Sequence, residues 1–235
     1  MKLNLNRNSI CRNCIMSKSF KVVVIGTSNV GKTSILYRIN NQGFQDNLAV
    51  TTNTSVMTRD CVLDEYNFTI NYWDTAGQEK FKALAEHYYQ GAKYAIAVFK
   101  INDKASFNEM LNYLITFRQK CDLISGPGES PRPNVIVAAN MTDLVQDSAE
   151  LIAEYQNKLF LKYDDENYVD YGVSCMLPTS AKENIGINDL HSEIQHLIIH
   201  DYLIPTDTTN NQNEDSGPGI VISEPIQPEE SKSCC

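Results

Sequence analysis

The chain has 235 residues, 42% of them hydrophobic, and a formal net charge of −9. This length favours one folded domain with tails, because a single domain of this size can bury most of its apolar surface. The acidic balance gives no general attraction to nucleic acid or to an anionic membrane. No apolar stretch reaches the roughly 18–20 residues that a membrane-spanning helix needs. We therefore expect a globular protein that binds no nucleic acid.

The first 18 residues contain four basic residues and no acidic one. That charge is a feature of targeting segments, but the apolar core of a signal peptide is missing. We interpret residues 1–18 as a disordered N-terminal extension, with a transit peptide as the alternative.

The chain contains seven cysteines. An odd number without a signal-peptide core favours a reducing compartment over a disulfide framework. Cys11 and Cys14 form one C-x-x-C pair, but neither a second pair nor a neighbouring histidine completes a zinc site. His196 and His200 lie one helical turn apart with no further ligand near them in sequence, so we interpret them as helix-surface residues.

A phosphate-binding loop is indicated at residues 26–33. Their sequence, G-T-S-N-V-G-K-T, fits the pattern G-x-x-x-x-G-K-[ST]. The apolar run at residues 20–25 is typical of a strand buried on both faces. A helical pattern follows the loop, with Ile35, Leu36 and Ile39 on one face. Strand, glycine-rich turn and helix N-terminus together favour an anion cradle.

Each part of this loop has a predicted task. Gly26 and Gly31 let the backbone curl around one anion. Lys32 reaches the β- and γ-phosphates of a nucleotide, and the Thr33 hydroxyl holds Mg²⁺. We assign nucleotide binding here to Gly26, Ser28, Asn29, Val30, Gly31, Lys32, Thr33 and Ser34.

Strand and helix patterns alternate through the rest of the core. Further strands are predicted at residues 68–73, 94–99, 134–139 and, more weakly, 172–177, and helices at 80–89, 106–118, 149–160 and 187–199. Residues 55–63 form another strand pattern, which the acidic turn of Asp64 and Glu65 joins directly to the next strand. We expect an α/β fold with a largely parallel sheet, one antiparallel edge strand and helices on both faces.

A second polar group follows the strand at residues 68–73. Asp74 can hold Mg²⁺ opposite the phosphate loop. Gly77 would let its backbone N–H approach the γ-phosphate, and Gln78 is placed to orient an attacking water. Thr51 can complete the Mg²⁺ shell, with Thr52 as a close rival for that role. The predicted catalytic residue is therefore Gln78, and the predicted metal ligands are Thr33, Thr51 and Asp74.

Base recognition is predicted at the ends of two later strands. Asp143 can accept hydrogen bonds from two adjacent N–H groups, which guanine offers at N1 and N2 and adenine does not. The stretch from Ser180 to Lys182 could present a backbone N–H to the guanine O6, and Phe44 could cover the base or its ribose edgewise. The predicted base-side residues are Phe44, Asn140, Met141, Asp143, Ser180, Ala181 and Lys182.

In this order, the segments resemble the Ras superfamily of small GTPases, and most nearly its Rab branch. The Rab-like features are W-D-T-A-G-Q-E-K-F at residues 73–81, Y-Y-Q-G-A at 88–92 and the terminal Cys234 and Cys235. The phosphate loop is common to many NTPases, whereas W-D-T-A-G-Q-E is far narrower. The resemblance extends from about residue 20 to residue 199.

This resemblance implies a P-loop NTPase with a six-stranded sheet that acts as a GTP/GDP switch with Mg²⁺. It implies effector proteins that bind around residues 44–60 and 78–89 when GTP is present, an exchange factor and a GTPase-activating protein. It also implies the prenylation machinery and a GDP-dissociation inhibitor that shields the lipids. Such a protein is expected to be a monomer on the cytoplasmic face of an intracellular membrane, cycling with the cytosol, in vesicle traffic.

Four features depart from the family pattern, and one of them is Lys100 in place of an acid that is usual after the fourth strand. Family members usually carry Lys where this chain has Met141, so an ammonium contact to the phosphate loop is lost. Asn53 stands where a Gly usually follows the switch threonine. The interval from Asp143 to Ser180 is longer than expected, which suggests an inserted element. Met141 and Asn53 keep a second hypothesis open, a nucleotide-dependent or nucleotide-free binding scaffold with no useful hydrolysis. An ATP-using P-loop enzyme is disfavoured by Asp143.

The C-terminal residues lack hydrophobic periodicity, and from residue 205 onward they carry six acidic residues against Lys232 alone. We predict a disordered tail over residues 204–235. Cys234 and Cys235 resemble a double-cysteine prenylation signal. Two lipids would supply the two signals that stable anchoring takes, because an acidic tail gains nothing from anionic leaflets. The GTPase domain is predicted between the extension and this tail, at residues 19–203.

Overall fold

The computed structural model describes residues 18–51, 54–64, 66–75, 87–122, 134–160 and 171–203. The chain divides into two compact units, Met1–Leu203 and Ile204–Cys235, and the predicted tail lies outside the described residues. The predicted N-terminal extension, up to residue 17, also lies outside them. Across the described ranges, no helix has both the length and the apolar character to cross a membrane.

One six-stranded sheet forms the centre of the protein. Its strands are β1 (Ser19–Ile25), β2 (Ser55–Leu63), β3 (Tyr66–Asp74), β4 (Tyr94–Lys100), β5 (Asn134–Asn140) and β6 (Val173–Pro178). They lie in the order β2-β3-β1-β4-β5-β6. Only the β2–β3 pair is antiparallel, and the other four pairs are parallel. The predicted fold class, including the antiparallel edge strand, is confirmed.

Four helices with described boundaries accompany the sheet. They are α1 (Lys32–Ile39), α2 (Lys104–Asp122), α3 (Ala149–Phe160) and α4 (Ile187–Leu203). The predicted helix over residues 80–89 lies, up to residue 86, outside the described residues. The interval between residues 143 and 180 contains α3, and residues 161–170 within it are also outside them.

Alternate residues of β1 enter two separate apolar cores. Val22 and Val24 pack with α1 and α4 on one face of the sheet. Val23 and Ile25 pack with α2 and α3 on the other face. Because successive side chains of a strand point to opposite faces, a strand covered by helices on both sides must be apolar throughout. This two-sided burial explains the continuous apolar run before the phosphate loop.

Two helices are longer than their periodicity predicts. Helix α2 starts two residues early because Asp103 Oδ1 accepts from the backbone N–H groups of Ala105 and Ser106, at 3.0 and 3.3 Å. Helix α4 continues to Leu203, and Asp201 in its last turn accepts from Tyr94 Oη and Asn134 Nδ2, both at 2.9 Å. A carboxylate near a helix C-terminus interacts unfavourably with the helix dipole, so the dipole does not stabilise this turn. Contacts with β4 and β5 therefore hold this last turn.

The carboxyl ends of the five parallel-paired strands meet along one edge of the sheet. The registers pair Val24 with Asp74, Ile25 with Ala97, and Lys100 with Asn140. In open α/β sheets, ligands bind at this edge. The phosphate loop, Asp74 and the base segments at 140–143 and 180–182 lie at or just after these strand ends, whereas Phe44 and Thr51 belong to the segment between α1 and β2.

Candidate functional site

A cleft of about 340 Å³ opens at this edge, which is a size typical of small-molecule sites. Its walls come from the phosphate loop, the segment between α1 and β2, and the ends of β5 and β6. The lining residues are Ser28, Asn29, Gly31, Lys32, Thr33, Ser34, Phe44, Gln45, Asp46, Leu48, Ala49, Val50, Thr51, Asn140, Met141, Asp143, Leu144, Ala181 and Lys182. The structure thus brings most of the predicted phosphate and base residues together around one space.

Two glycines allow the phosphate loop to lie against the strands behind it. At Gly26, with φ 140°, a Cβ would lie 2.2 Å from the carbonyl oxygen of Val98 in β4. At Gly31, with φ 92°, a Cβ would lie 2.3 Å from Asn140 Nδ2. Both positions combine a left-handed backbone with a close approach, so a side chain is excluded at each. The loop path therefore depends on glycine at these two places.

Lys32 carries a buried positive charge into the cleft. Its Nζ donates to the carbonyl oxygens of Gly26 at 3.0 Å and Thr27 at 2.8 Å, which leaves one of its three donors for a ligand. Burial lowers the pKa of Lys32 to about 8, against the charge of Asp74, which raises it. A buried ammonium is costly without an anion. The position therefore suits a phosphate group.

Three oxygen-bearing side chains form a second cluster beside Lys32. Thr33 Oγ1 donates to Asp74 Oδ2 at 2.6 Å and lies 2.8 Å from Thr51 Oγ1. Thr75 Oγ1 donates to the Val24 carbonyl at 2.6 Å, which fixes the end of β3 against β1. All three predicted metal ligands are therefore within hydrogen-bonding distance of one another, in one chain of contacts.

Asp74 is the residue of this cluster whose negative charge a bound cation would neutralise. Its side chain is fully buried, and its Oδ1 has no hydrogen-bond partner among the described residues. Burial raises the pKa of Asp74, while the Thr33 hydrogen bond and the Lys32 charge oppose that rise. A buried carboxylate oxygen without a partner is costly. A hard cation would remove that cost, and the carboxylate and hydroxyl oxygens fit Mg²⁺ better than a metal that prefers nitrogen or sulfur.

The Asn140 side chain joins the phosphate loop to the base side of the cleft. Its Nδ2 donates to the Val30 carbonyl at 2.8 Å. Its Oδ1 accepts from Thr179 Oγ1 at 3.2 Å and from the Ala181 backbone N–H at 3.3 Å. The segments that follow β1, β5 and β6 thus meet at one buried amide. The Ala181 N–H, a candidate for the guanine O6, is engaged by a long bond that a ligand could share.

Asp143 lines the cleft after β5, which β1 and β4 separate from β3 and Asp74 in the sheet. Its Oδ1 accepts from Ser180 Oγ at 2.6 Å, and Ser180 Oγ accepts from the Glu183 backbone N–H at 3.1 Å. Ser180 is itself fully buried, so it acts on the cleft by orienting Asp143. Phe44 lines the cleft and packs against the apolar core beneath α1. The carboxylate is thereby held ready to accept from a base.

Met141 takes a backbone conformation that is unusual for its type. Its φ is 65°, in the left-handed region, where a bulky non-glycine residue is an outlier. The Thr142 N–H and hydroxyl both donate to the Thr179 carbonyl, each at 3.1 Å, which holds the following residue to the end of β6. The Met141 methyl group lies 3.7 Å from the point where a Cβ on Gly31 would stand. Met141 therefore packs beside the phosphate loop without adding a charge.

Several predicted residues lie outside the described part of the chain. Gly77 and Gln78 belong to this group, as do Thr52, Asn53 and the terminal cysteines. The Cys11 and Cys14 pair is also outside it. Among the described residues, no group of three or more His, Cys, Asp or Glu side chains could hold a metal ion. His196 and His200 are exposed on α4.

The cleft also has lining residues that the motifs did not reveal. Most belong to the segment between α1 and β2, and Leu144 follows Asp143 on the other wall: the set is Gln45, Asp46, Leu48, Ala49, Val50 and Leu144. Val50 and Leu144 are large apolar side chains with 44% and 52% of their surface exposed. No residue type or spacing in this segment marks it, because its position over the cleft follows from the loop path.

Comparison with known proteins agrees with this geometry. The family model described as the Ras family matches residues 21–200. Rab-22A of Homo sapiens is 33% identical over 221 residues, which cover 93% of this chain and 98% of the relative. The Ypt/Rab-type GTPase ypt71 of Schizosaccharomyces pombe is 29% identical over 215 residues, with 91% and 96% covered. Rab-11B of Dictyostelium discoideum is 29% identical over 207 residues, with 88% of each covered.

The chain belongs to the Ras family of small GTPases. The relatives named here are Rab proteins matched over most of the chain, so the predicted Rab resemblance is confirmed. Ras-family proteins bind GTP and GDP and hydrolyse GTP, and Mg²⁺ is general to them.

A methyl group at Gly31 should weaken nucleotide binding. Gly31→Ala places a Cβ on Asn140 Nδ2 in a left-handed backbone, so we expect GDP affinity to fall on the order of a hundredfold. Gly43→Ala is the matched control, because a Cβ there meets nothing within 4 Å. Equilibrium titration with mant-GDP measures both. Equal affinity in the two variants would show that the Gly31–Asn140 approach does not shape the site.

Proposed function

We propose that this protein is a membrane-tethered GTP-binding switch that hydrolyses GTP to GDP and regulates vesicle traffic. The observation that carries the proposal is the polarity of the cleft. Lys32 and Thr33 line the cleft after β1, with the buried Asp74 hydrogen-bonded to Thr33, and Asp143 lines it after β5, which β4 separates from β1. A triphosphate and a guanine base are the complementary groups. The likeness to Rab-22A, Rab-11B and ypt71 supports the traffic role.

At the phosphate end, this chain's residues would bind and neutralise charge. The third N–H of Lys32 donates to a phosphate oxygen, and backbone N–H groups between Gly26 and Thr33 cradle the anion. Thr33, Thr51 and Asp74 would hold Mg²⁺, which supplies charge neutralisation across the β- and γ-phosphates. The buried Ser28 hydroxyl, which has no partner among the described residues, is a further donor on this wall.

In the hydrolysis step, a water oxygen bonds to the γ-phosphorus while the bond from that phosphorus to the β–γ bridging oxygen breaks. The products are GDP and inorganic phosphate. Gln78 orients the attacking water, and the Gly77 N–H approaches the γ-phosphate. The reaction is expected to be slow without a partner, on the order of 10⁻⁴ per second by the behaviour of Ras. A GTPase-activating protein that supplies an arginine would accelerate it.

At the base end, Asp143 would accept from the guanine N1–H and N2–H. The short bond from Ser180 Oγ holds one carboxylate oxygen and leaves lone pairs free for the base. Phe44 covers the base or ribose from the side, and the loop from Ser180 to Lys182 offers a backbone N–H to O6. Adenine lacks the donor pair, so the site prefers guanine nucleotides.

The partners follow from the cycle. Effector proteins bind around residues 44–60 and 78–89 in the GTP form, an exchange factor releases GDP, and an activating protein ends the signal. The prenylation machinery modifies Cys234 and Cys235, and a GDP-dissociation inhibitor carries the lipidated protein through the cytosol. The protein acts as a monomer on the cytoplasmic face of an intracellular membrane. Its folded domain spans residues 19–203, between an extension at 1–18 and the tail at 204–235.

A catalytically weak binding scaffold is the second candidate. Two features favour it: the left-handed Met141 in place of an ammonium, and Asn53 after the switch threonine. Against it stand the cluster of Thr33 with Asp74 and the retained Gln78, which a pure scaffold would not need. Turnover of bound GTP separates the two candidates.

Single-turnover hydrolysis tests the proposal and the role of Gln78. We expect the parent to convert bound GTP to GDP and Gln78→Leu to bind GTP normally but lose nearly all stimulated turnover. Gln146→Leu, at an exposed position, is the matched control and should behave as the parent. A parent that binds GTP and never hydrolyses it, with or without an activating protein, would support the scaffold. Stimulated turnover of Gln78→Leu at the parent rate would remove Gln78 from the chemistry.

Base preference should depend on Asp143. Asp143→Asn replaces one acceptor oxygen with a donor, so discrimination between GTP and XTP should shift towards XTP by about tenfold or more, because each charge-assisted hydrogen bond contributes roughly 1.5–3 kcal/mol. The control is Asp147→Asn, whose carboxylate accepts only from the Ala149 N–H at the start of α3 in the described structure. Competition binding measures the ratio. The same ratio in both variants would move base recognition to another residue.

Membrane residence should require Cys234 and Cys235 together. One lipid chain binds a bilayer reversibly and two bind for long periods, because each buried CH₂ contributes about 0.8 kcal/mol. Replacing both residues by Ser should move the protein to the cytosol with unchanged nucleotide binding, and a single replacement should give an intermediate distribution. Ser233→Ala is the control. Unmodified thiols in the C-terminal peptide of cell-derived protein would refute the tether.

A further inference from the structure

Helix α1 ends in a side chain that reaches the loop after β6. The Arg38 guanidinium donates from Nε to the Ala181 carbonyl and from Nη2 to the Lys182 carbonyl, at 2.8 Å in each case. One rigid fork thus binds two successive carbonyls, which fixes the orientation of the loop as well as its distance. The partners are more than 140 residues away in sequence, so this is a tertiary contact and not a helix cap.

The loop that Arg38 holds forms part of the base end of the cleft. Ala181 and Lys182 both line the cleft. The loop is closed behind them by two backbone hydrogen bonds between Ser180 and Ile185, at 2.9 and 3.0 Å. Ser180 at its start donates to Asp143. A displacement of this loop would therefore move both the Ala181 N–H, which the proposed site offers to the base, and the residue that orients Asp143.

Helix α1 connects the two ends of the cleft. Its first residues, Lys32 and Thr33, carry the phosphate and metal contacts, and Arg38 lies six residues further on. Between them, Ile35 and Leu36 are fully buried in the core, which anchors the helix against the sheet. An eight-residue helix is only about 12 Å long. One short anchored element thus sets the position of the phosphate loop and of the base loop.

We propose that Arg38 is a positioning residue that slows nucleotide release by holding the 181–182 loop against the base. The inference rests on the proposed guanine site. Arg38 itself does not line the cleft, so it acts through the two carbonyl groups and through the Ser180–Asp143 contact behind them. Arg38 would thus control how long the nucleotide stays bound, although it lies outside the phosphate, metal and base motifs.

The test compares three variants at the same helix end. Arg38→Met keeps the length of the side chain and removes every donor, and Arg38→Lys keeps the charge but replaces the planar fork by a single ammonium on a flexible chain. Asn40→Ala is the matched control, because Asn40 Nδ2 donates to the Leu36 carbonyl at 3.0 Å and caps α1. It weakens the end of the helix without touching the base loop. Mant-GDP release and the thermal midpoint are measured for each variant and the parent.

We expect Arg38→Met to release mant-GDP roughly tenfold faster than the parent, because two charge-assisted hydrogen bonds are lost and only part of their effect reaches the nucleotide through the loop. Arg38→Lys should fall between the two, and Asn40→Ala should stay within about twofold of the parent. Chelation of Mg²⁺ should accelerate the parent and Arg38→Met by the same factor, because Arg38 contacts the loop after β6 and not the Thr33–Asp74 cluster.

Two results would overturn the inference: release from Arg38→Met at the parent rate, or equal acceleration in Asn40→Ala. If Arg38→Met does not fold, the test uses Arg38→Lys instead. Release of mant-GDP from Arg38→Lys at the same rate as from Asn40→Ala would then overturn the inference. A parent that binds no mant-GDP refutes the guanine site itself. A parent that binds mant-GDP, with Arg38 variants that release it normally, refutes only the role of Arg38.

Discussion

The buried side-chain amide of Asn140 is the contact on which the geometry of the cleft depends. It donates to the phosphate loop at Val30 and accepts from Thr179 and Ala181 at the end of β6. It also lies so close to Gly31 that no side chain fits there. A buried amide can stay in the interior only if its donors and acceptors are paired. Those hydrogen bonds fix the relative positions of three loops that are distant from one another in the sequence.

The polar groups of the cleft are arranged for a ligand and not for the stability of the protein alone. Burial lowers the pKa of Lys32 and raises the pKa of Asp74, so both charged forms are disfavoured in the described structure. One oxygen of Asp74 and the Ser28 hydroxyl have no partner among the described residues. Such groups are costly to bury. Phosphate at Lys32 and a cation at Asp74 would satisfy both charges, and perturbed groups of this kind cluster at functional sites.

Much of this organisation could be predicted from the sequence. The continuous apolar run of β1, the glycine-rich turn and the β2–β3 hairpin each have a local cause, and together they predict the sheet. Asp74 could be predicted from its strand-end position and Thr33 from the loop motif, whereas for Thr51 the sequence left Thr52 as a rival. Each motif covers only a few residues. The Ras-family match covers residues 21–200 and therefore supports the same assignment for nearly the whole predicted domain.

The features that the sequence did not predict depend on contacts with backbone groups or on loop paths. Arg38 binds two carbonyl groups, which every residue possesses, so no partner residue marks the pair. The last turn of α4 is held by Tyr94 and Asn134, residues of two distant strands. The left-handed φ of Met141 could not be predicted, because methionine rarely adopts that conformation. Leu48 and Val50 line the cleft because of the path of their segment.

The nucleotide carried by the purified protein tests the central claim most directly, namely that the loops joined at Asn140 enclose a guanine nucleotide. The protein is purified in Mg²⁺ without added nucleotide and denatured, and the released compound is identified and counted by chromatography. We predict about one guanine nucleotide per chain, chiefly GDP, because the phosphate and metal contacts retain it and hydrolysis has time to finish. An adenine nucleotide, or a folded protein that carries none and takes up no added GDP, would contradict it.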